Sequence, residues 1–232
     1  SNVACTVPYT SGDADFDSDV DIADVLSVVD FALELDIPTE DEFRNCDVNN
    51  DEEINITDII LMVDVIFGAN ARMLSFDPNE IAYVDLLSDY DESELLVNID
   101  YNSLVRGLEF ELLYNPGLIS ISSPSLLDNQ DNVMLNYSEI EPGKLKVIVA
   151  NLSGGHIVSN DQNYLSVPVT FIGGERDIAS ISISNINIAG ADGKLVNFIG
   201  RTTSLTLQVI PTEFALHQNF PNPFNPITEI QF

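Results

Sequence analysis

The chain has 232 residues, 45% of them hydrophobic, which is enough for one large or two small domains with a buried core. Its 38 acidic side chains against 8 basic ones give a formal net charge of −30 at pH 7. This charge argues against nucleic acids and anionic membrane surfaces as partners, because both need a basic footprint, and no apolar run reaches the roughly 18 residues of a membrane span.

An aspartate-rich loop follows an N-terminal extension, residues 1–11, and returns 34 residues later. The two segments are "DADFDSDVDIAD" at residues 13–24 and "DVNNDEEINITD" at residues 47–58. Each has oxygen-bearing side chains at positions 1, 3, 5, 9 and 12 and a backbone carbonyl at position 7, the pattern of an EF-hand calcium loop. Without a cation, aspartates this close would repel one another. We therefore expect two calcium ions, bound through Asp13, Asp15, Asp17, Asp19, Asp21 and Asp24 in the first loop and through Asp47, Asn49, Asp51, Glu53, Asn55 and Asp58 in the second.

Each loop is followed by apolar residues at helical spacing, which predicts one amphipathic helix per repeat. The apolar residues after the first loop are Val25, Leu26, Val29, Ala32 and Leu33. Their counterparts 34 residues later are Ile59, Ile60, Val63, Ile66 and Phe67. Between the repeats, Thr39 and Glu42 form the sequence pattern of a capping box, and Gly68 is expected to end the last helix. The result is a predicted helical module with two calcium loops over residues 12–70.

Two features of these repeats resemble the dockerin module, the plug of cohesin–dockerin complexes in bacterial extracellular assemblies. Position 12 is Asp rather than Glu in both loops, and position 8 is apolar, as Val20 and Ile54. The resemblance covers residues 12–68 and implies that positions 10 and 11 contact a partner through Ile22, Ala23, Ile56 and Thr57. The alternative is that Ile22 and Ile56 pack in the core of the module itself.

Position 6 of both loops departs from the usual pattern. It is normally glycine, because the sharp turn there needs a left-handed backbone, but here it is Ser18 and Glu52. A non-glycine residue in that conformation costs on the order of 1 kcal/mol. We therefore expect a weaker calcium affinity or an altered loop geometry.

After a short linker, residues 71–75, the pattern changes from helical spacing to alternation. Segments such as "ELLVNIDY", "KLKVIVAN" and "SISISNINI" indicate strands, and "NPG", "EPGK" and "ADGK" indicate turns between them. Residues 76–210 are thus predicted to form an antiparallel β-sandwich, such as a jelly roll. The predicted fold class is a small α module followed by an all-β domain.

The phrases "VRGLEFELLYNPGLISISS", "GKLKVIVANLSG" and "YLSVPVTFIG" resemble successive strands of a cohesin domain. The strand that ends in an aromatic–Asn–Pro turn is matched by Tyr114, Asn115 and Pro116. The resemblance implies that a dockerin-binding sheet is formed by strands near 105–113, 132–138 and 144–150. A generic immunoglobulin-like or jelly-roll sandwich is the alternative.

The tail, residues 211–232, resembles the start of the C-terminal sorting domain of bacterial type IX secretion. The resemblance is carried by Leu216, Gln218, Asn219, Pro221, Asn222, Pro223, Phe224, Asn225 and Pro226. It implies export across an outer membrane to the bacterial cell surface or the medium, whereas the alternative is a proline-rich linker. In an exported protein Cys5 and Cys46 would pair as a disulfide, and in a cytosolic one they would be free thiols.

The sequence contains no recognisable catalytic constellation, so we expect a protein that is not an enzyme. The two histidines, His156 and His217, have no acidic or nucleophilic neighbours in sequence and are expected at the surface. The many paired carboxylates are better explained by calcium than by glycoside hydrolysis.

A plug and a socket on one chain favour a secreted structural protein that self-associates head to tail and can build an extracellular filament. The seven residues between the helical pattern and the first strand pattern, about 69–75, reach at most about 25 Å, so docking of the plug on its own socket is expected to be strained. The alternative is an adaptor or scaffold that links other cohesin or dockerin proteins, or polysaccharide-degrading enzymes. An accessory region of an enzyme ranks last.

Overall fold

The computed structural model describes residues 9–67, 81–89, 93–101, 105–127, 132–157, 163–174, 177–190 and 192–208. The predicted linker and tail, Cys5 and His217 lie outside these ranges. Within them, three helices are followed by eleven strands. The helices are α1 Ile22–Ala32, α2 Glu40–Cys46 and α3 Ile56–Phe67. None of these helices is long and apolar enough to cross a membrane.

The starts of α1 and α2 are set by local hydrogen bonds. Asp21 caps α1 in a reciprocal capping box with Asp24. The predicted capping box of α2 is confirmed, because Thr39 N–H donates to Glu42 Oε2 at 2.7 Å and Glu42 N–H donates to Thr39 Oγ1 at 3.3 Å.

The predicted apolar stripes of α1 and α3 pack against each other and form most of a small helical core. Its buried members include Val25, Val28, Val29, Ala32, Ile59, Met62 and Val63. Two residues of the predicted stripes differ, since Leu26 is 48% exposed and Phe67 is 55% exposed. The equivalent of Leu26 in the second repeat, Ile60, is fully buried. The two repeats therefore share their spacing but not their surroundings.

The strands form the two sheets of a sandwich. They are β1 Ala82–Ser88, β2 Glu94–Asp100, β3 Val105–Tyr114, β4 Ile119–Ile121, β5 Ser125–Leu126, β6 Val133–Glu141, β7 Lys144–Asn151, β8 Asn163–Phe171, β9 Ile178–Gly190, β10 Phe198–Thr202 and β11 Ser204–Gln208. One sheet has the order β10-β1-β2-β8-β4, with β5 also paired to β8, and the other has the order β11-β9-β3-β7-β6. The predicted antiparallel pairing holds for these neighbours except β1 and β10, which are parallel because β10 enters the first sheet after a crossover from β9.

The five-stranded sheet is buried on both faces along β7. Leu145, Val147 and Val149 face the core between the sheets, whereas Ile148 and Ala150 belong to the helical core. This follows from the alternation of side chains along a strand. The helices thus lie on the outer face of this sheet.

The helical module docks on the sandwich of its own chain, because α3 packs on β3, β7 and β9. We expected a linker of about seven residues to strain this arrangement, whereas the structure has α3 packed on these strands. The first described strand starts at Ala82. The connection between Phe67 and Ile81 can reach up to about 50 Å when fully extended, twice the distance that the expectation allowed.

We predict that Gly107→Val displaces α3 from the sheet. A Cβ at Gly107 would lie 2.5 Å from Ile56 Cγ1 and 3.1 Å from Ile60 Cγ1. Such overpacking costs about 1–3 kcal/mol, so amide hydrogen exchange in α3 should become faster. Gly174→Ala is the control, since the nearest atom to its Cβ is Asp177 Oδ2 at 3.5 Å. Unchanged exchange in Gly107→Val would contradict the close packing.

Candidate calcium loops and docking interface

The first loop brings three carboxylates together. Oxygens of Asp13, Asp15 and Asp17 all lie within 4.8 Å of one another. Asp13 is 3% exposed, and its Oδ1 has no hydrogen-bond partner among the described residues. A buried carboxylate oxygen without a partner is costly. The orphan oxygen beside two further carboxylates fits a bound cation.

The two loops share one backbone conformation. Positions 4 and 6 are left-handed in both, with φ of 63° at Phe16, 81° at Ser18, 58° at Asn50 and 71° at Glu52. The predicted left-handed residue at position 6 is confirmed, and position 4 is a second one that sequence analysis missed. The position 6 N–H donates to the carboxylate of position 1 in each loop, from Ser18 to Asp13 at 3.3 Å and from Glu52 to Asp47 at 3.0 Å. These bonds hold the turn closed without glycine.

The aspartates at position 12 close each loop by accepting backbone N–H groups. Asp24 accepts from Ala14 at 2.7 Å, Asp15 at 3.3 Å and Asp21 at 2.8 Å, and Asp58 accepts from Val48 at 2.9 Å, Asn49 at 3.3 Å and Asn55 at 3.0 Å. Burial raises the pKa of Asp58 to about 6, although these backbone donors oppose the shift. A bound cation would favour the charged carboxylate.

The second loop offers an equivalent set of oxygen atoms. Asp47, Asp51 and Asp58 provide carboxylates, and Asn49 and Asn55 provide amide oxygens. Asn49 Nδ2 donates to Asp51 Oδ2 at 2.7 Å, which keeps positions 3 and 5 together. Oxygen ligands of this kind suit a hard cation such as calcium. The chemistry of both loops therefore fits the predicted ion.

The remaining predicted ligands are at the rim of the loops. Asp19, Asp21 and Glu53 are exposed. A hydrogen bond with Asp17 and the repulsion between these two carboxylates raise the pKa of Asp19. Position 7 supplies a backbone carbonyl in an EF-hand loop, so the side chains of Asp19 and Glu53 are free to face solvent.

Asn45 connects α2 to the first loop, and sequence analysis missed it. Its side-chain Nδ2 donates to the backbone carbonyl of Asp13 at 2.7 Å, and its backbone carbonyl accepts from Gly12 N–H at 2.8 Å. Cys46 beside it is fully buried, and burial raises the pKa of its thiol to about 12. Because Cys5 lies outside the described residues, the disulfide stays a prediction.

The four residues expected at the partner interface separate into two pairs. Ile22 is 43% exposed and Ala23 is exposed, whereas Ile56 and Thr57 are buried. Ile56 packs against Gly107 of β3, and Thr57 Oγ1 hydrogen-bonds with Asn55 Oδ1 at 2.7 Å. The surface that Ile56 contacts is thus the sheet of its own chain. The predicted strands near 105–113, 132–138 and 144–150 correspond to β3, β6 and β7, which are neighbours in that sheet.

A glutamate of the sheet caps α3. The N–H of Ile56, at the start of the helix, donates to Glu109 Oε2 at 2.9 Å, and Glu109 Oε1 lies 3.1 Å from Lys146 Nζ. The first N–H groups of a helix have no partner within it and favour negative charge. Burial raises the pKa of Glu109, although Lys146 and the Ile56 N–H oppose the shift. Lys146 also approaches Glu34, beyond the end of α1, at 3.9 Å.

The last turns of α3 are held by a buried ion pair. Arg106 Nη1 lies 2.8 Å from Asp64 Oδ1 and 2.9 Å from Asp64 Oδ2. Arg106 is fully buried. Arg106, Gly107, Glu109 and Lys146 were not predicted individually. The available signal was charged residues inside the otherwise apolar strand segments "VRGLEFELLY" and "KLKVIVAN".

No family model and no curated protein matches the sequence. Solved cohesin structures are similar to part of the chain. A cohesin module of a family 33 glycoside hydrolase from Clostridium perfringens is 19% identical, with a TM-score of 0.42 over 56% of this chain and 95% of that module. A non-cellulosomal cohesin from Archaeoglobus fulgidus is 19% identical, with a TM-score of 0.46 over 57% of this chain and 94% of that cohesin. A type I cohesin–dockerin complex from Clostridium thermocellum is 12% identical, with a TM-score of 0.45 over 58% of this chain and 97% of the matched chain.

We predict that Glu109→Ala exposes the first turn of α3. A hydrogen bond to a charged acceptor contributes about 1.5–3 kcal/mol, so the Ile56 amide should exchange with deuterium about tenfold faster or more. Glu139→Ala is the control, because its carboxylate accepts from Tyr114 Oη and Gly143 N–H instead. If the Ile56 amide stays protected in Glu109→Ala, Glu109 does not cap the helix.

Proposed function

We propose that this chain is a non-catalytic, calcium-dependent assembly protein in which the α3 face of the calcium module engages the five-stranded sheet. We call Ile56, Ile60 and Asp64 the plug face and the sheet surface around Arg106 and Gly107 the socket. The observation that supports this proposal is the fit between the plug face and the socket. Ile56 and Ile60 lie on a glycine that leaves no room for a side chain, and Asp64 meets a buried arginine.

Calcium acts on this contact through the start of α3. Ile56 lies between Asn55 and Asp58, both ligands of the second loop in this proposal. A cation that orders the loop therefore also orders the peptide whose N–H reaches Glu109. Ions that bind only the folded module stabilise it by RT ln(1 + [Ca]/Kd), about 2.7 kcal/mol at 100 times Kd.

Head-to-tail assembly uses the same contact between two chains. Because residues 68–80 can extend up to about 50 Å, the plug of one chain can leave its own socket and enter that of the next. Such an exchange is heterologous, and it builds an open filament when the rotation between subunits does not close a ring. Docking within one chain competes with the filament, because the plug face and the socket of the same chain are at a high effective concentration relative to each other. Export to the bacterial surface or medium rests on the resemblance of the tail.

An adaptor function is the second candidate, and one observation favours it. When the plug face is docked on the socket of its own chain, Ile22 and Leu26 of α1 remain 43% and 48% exposed. A heterologous extracellular protein could contact this apolar surface while the plug face stays docked. An adaptor of this kind would bind other proteins without self-association.

We predict that the folded chain binds two calcium ions. Isothermal titration calorimetry should show two sites in the wild type and one in Asp13→Asn or Asp47→Asn, because each substitution removes the carboxylate at position 1. The melting temperature should rise with calcium and fall with chelator. Asp36→Asn is the control, since Asp36 is exposed and lies outside both loops. A chain that shows neither heat of binding nor a melting shift carries no calcium switch.

We predict that assembly depends on calcium and on protein concentration. Negative-stain electron microscopy and light scattering should show filaments at high concentration in millimolar calcium, and single particles in excess chelator. Gly107→Val should fail to assemble in either condition, because its socket is blocked. Single particles of the wild type at every concentration would exclude self-association and favour the adaptor.

A further inference from the structure

We propose that the Arg106–Asp64 ion pair determines which helix the socket accepts. The partner that fits is a helix with a carboxylate eight residues after its first buried isoleucine, as in α3 of this chain or of a second copy. This inference rests on the proposed docking function and adds the chemistry by which the partner is recognised.

The first argument is the isolation of the guanidinium. Arg106 is fully buried, and its polar side-chain contacts with the described residues run from Nη1 to the two oxygens of Asp64, at 2.8 and 2.9 Å. Its Nε and Nη2 have no hydrogen-bond partner among the described residues. An arginine cannot deprotonate to relieve this. A plug without the carboxylate would leave a buried, uncompensated charge, which is strongly destabilising.

The second argument is a bulge in β3 that aims Arg106 at the plug. In the pairing of β3 with β9, Val105 lies opposite Gly190 and Gly107 lies opposite Ala189, so Arg106 is the extra residue. Successive side chains of a regular strand point to opposite faces, but a bulge redirects one of them. Arg106 and Gly107 therefore both face α3. The bulge directs the charged side chain of Arg106 toward α3, whereas a regular strand would direct it to the opposite face of the sheet.

The third argument is register. Ile56, Ile60 and Asp64 are four residues apart and share one face of α3. A helix shifted by one turn would bring Ile60 to Arg106 in place of Asp64. An apolar side chain there leaves the guanidinium without compensation. The ion pair thus distinguishes this position of the helix from one shifted by a turn.

A charge exchange between two chains tests the proposal. Asp64→Arg and Arg106→Asp each place like charges in the contact, so either variant alone should dock poorly and show at least tenfold faster amide exchange in α3. Mixed at equal concentrations, each variant supplies the charge that the other lacks, and light scattering should detect complexes that contain both. The double variant D64R/R106D should dock within its own chain again.

Milder substitutions serve if the reversals do not fold. Asp64→Asn and Arg106→Gln remove one charge each, and Asp64→Asn should raise α3 exchange at least tenfold. Asp30→Asn is the matched control, because Asp30 holds the equivalent position on α1 and is exposed. Equal exchange in Asp64→Asn and Asp30→Asn would overturn the proposal.

The outcomes separate the two proposals. Recovery of α3 protection in D64R/R106D without complexes in the mixture supports recognition by the ion pair and contradicts head-to-tail exchange. Single reversals that dock as well as the wild type overturn the recognition role, whatever their assembly. Complexes in the mixture support both.

Discussion

The burial of α3 on β3 is the contact on which the rest of this structure depends. It covers Gly107, where any side chain would collide with Ile56, and it removes the Arg106–Asp64 pair from water. It also covers the outward side chains of β7, Ile148 and Ala150, which would otherwise be exposed. Apolar contact supplies most of the favourable energy in such a surface, but desolvated charges decide which arrangement is tolerated. The contact therefore stabilises the docked arrangement through its apolar surface and selects that arrangement through its buried charges.

The second aspartate-rich loop and the docking surface meet in a single stretch of chain. The backbone at Asn55 is held by Asp58 at 3.0 Å, and the next N–H is held by Glu109 of the sandwich at 2.9 Å. In the proposed function these neighbouring bonds couple the ion to the sheet. By linkage, whatever strengthens docking also strengthens binding in the second loop. The first loop has no such connection among the described residues, since Ile22 is 43% exposed. In the proposed function, the two loops therefore have different roles although their sequences are similar.

Basic side chains are rare in this chain, and some of them lie on the strands that contact the helical module. The chain has 8 lysines and arginines against 38 acids, and three of them lie on β3 and β7. Lys144 pairs with Glu111 at 3.1 Å, Lys146 with Glu109 at 3.1 Å, and Arg106 with Asp64. Partly buried pairs are screened less by salt than surface pairs. Placing the bases there offsets the local charge in a molecule whose net charge is −30.

The sequence by itself determined the features that depend on local spacing. These include the two loops with oxygen at fixed positions, the capping box of Thr39, and the strand alternation of the sandwich, because each is set by neighbouring residues. The tertiary structure decided what covers each surface. Ile22 and Ile56 hold the same position in their repeats, yet one is exposed and the other fully buried. The Arg106–Asp64 ion pair and the capping of α3 by Glu109 join residues more than 40 positions apart. No local pattern encodes them, because burial and pairing depend on which elements meet in the folded chain.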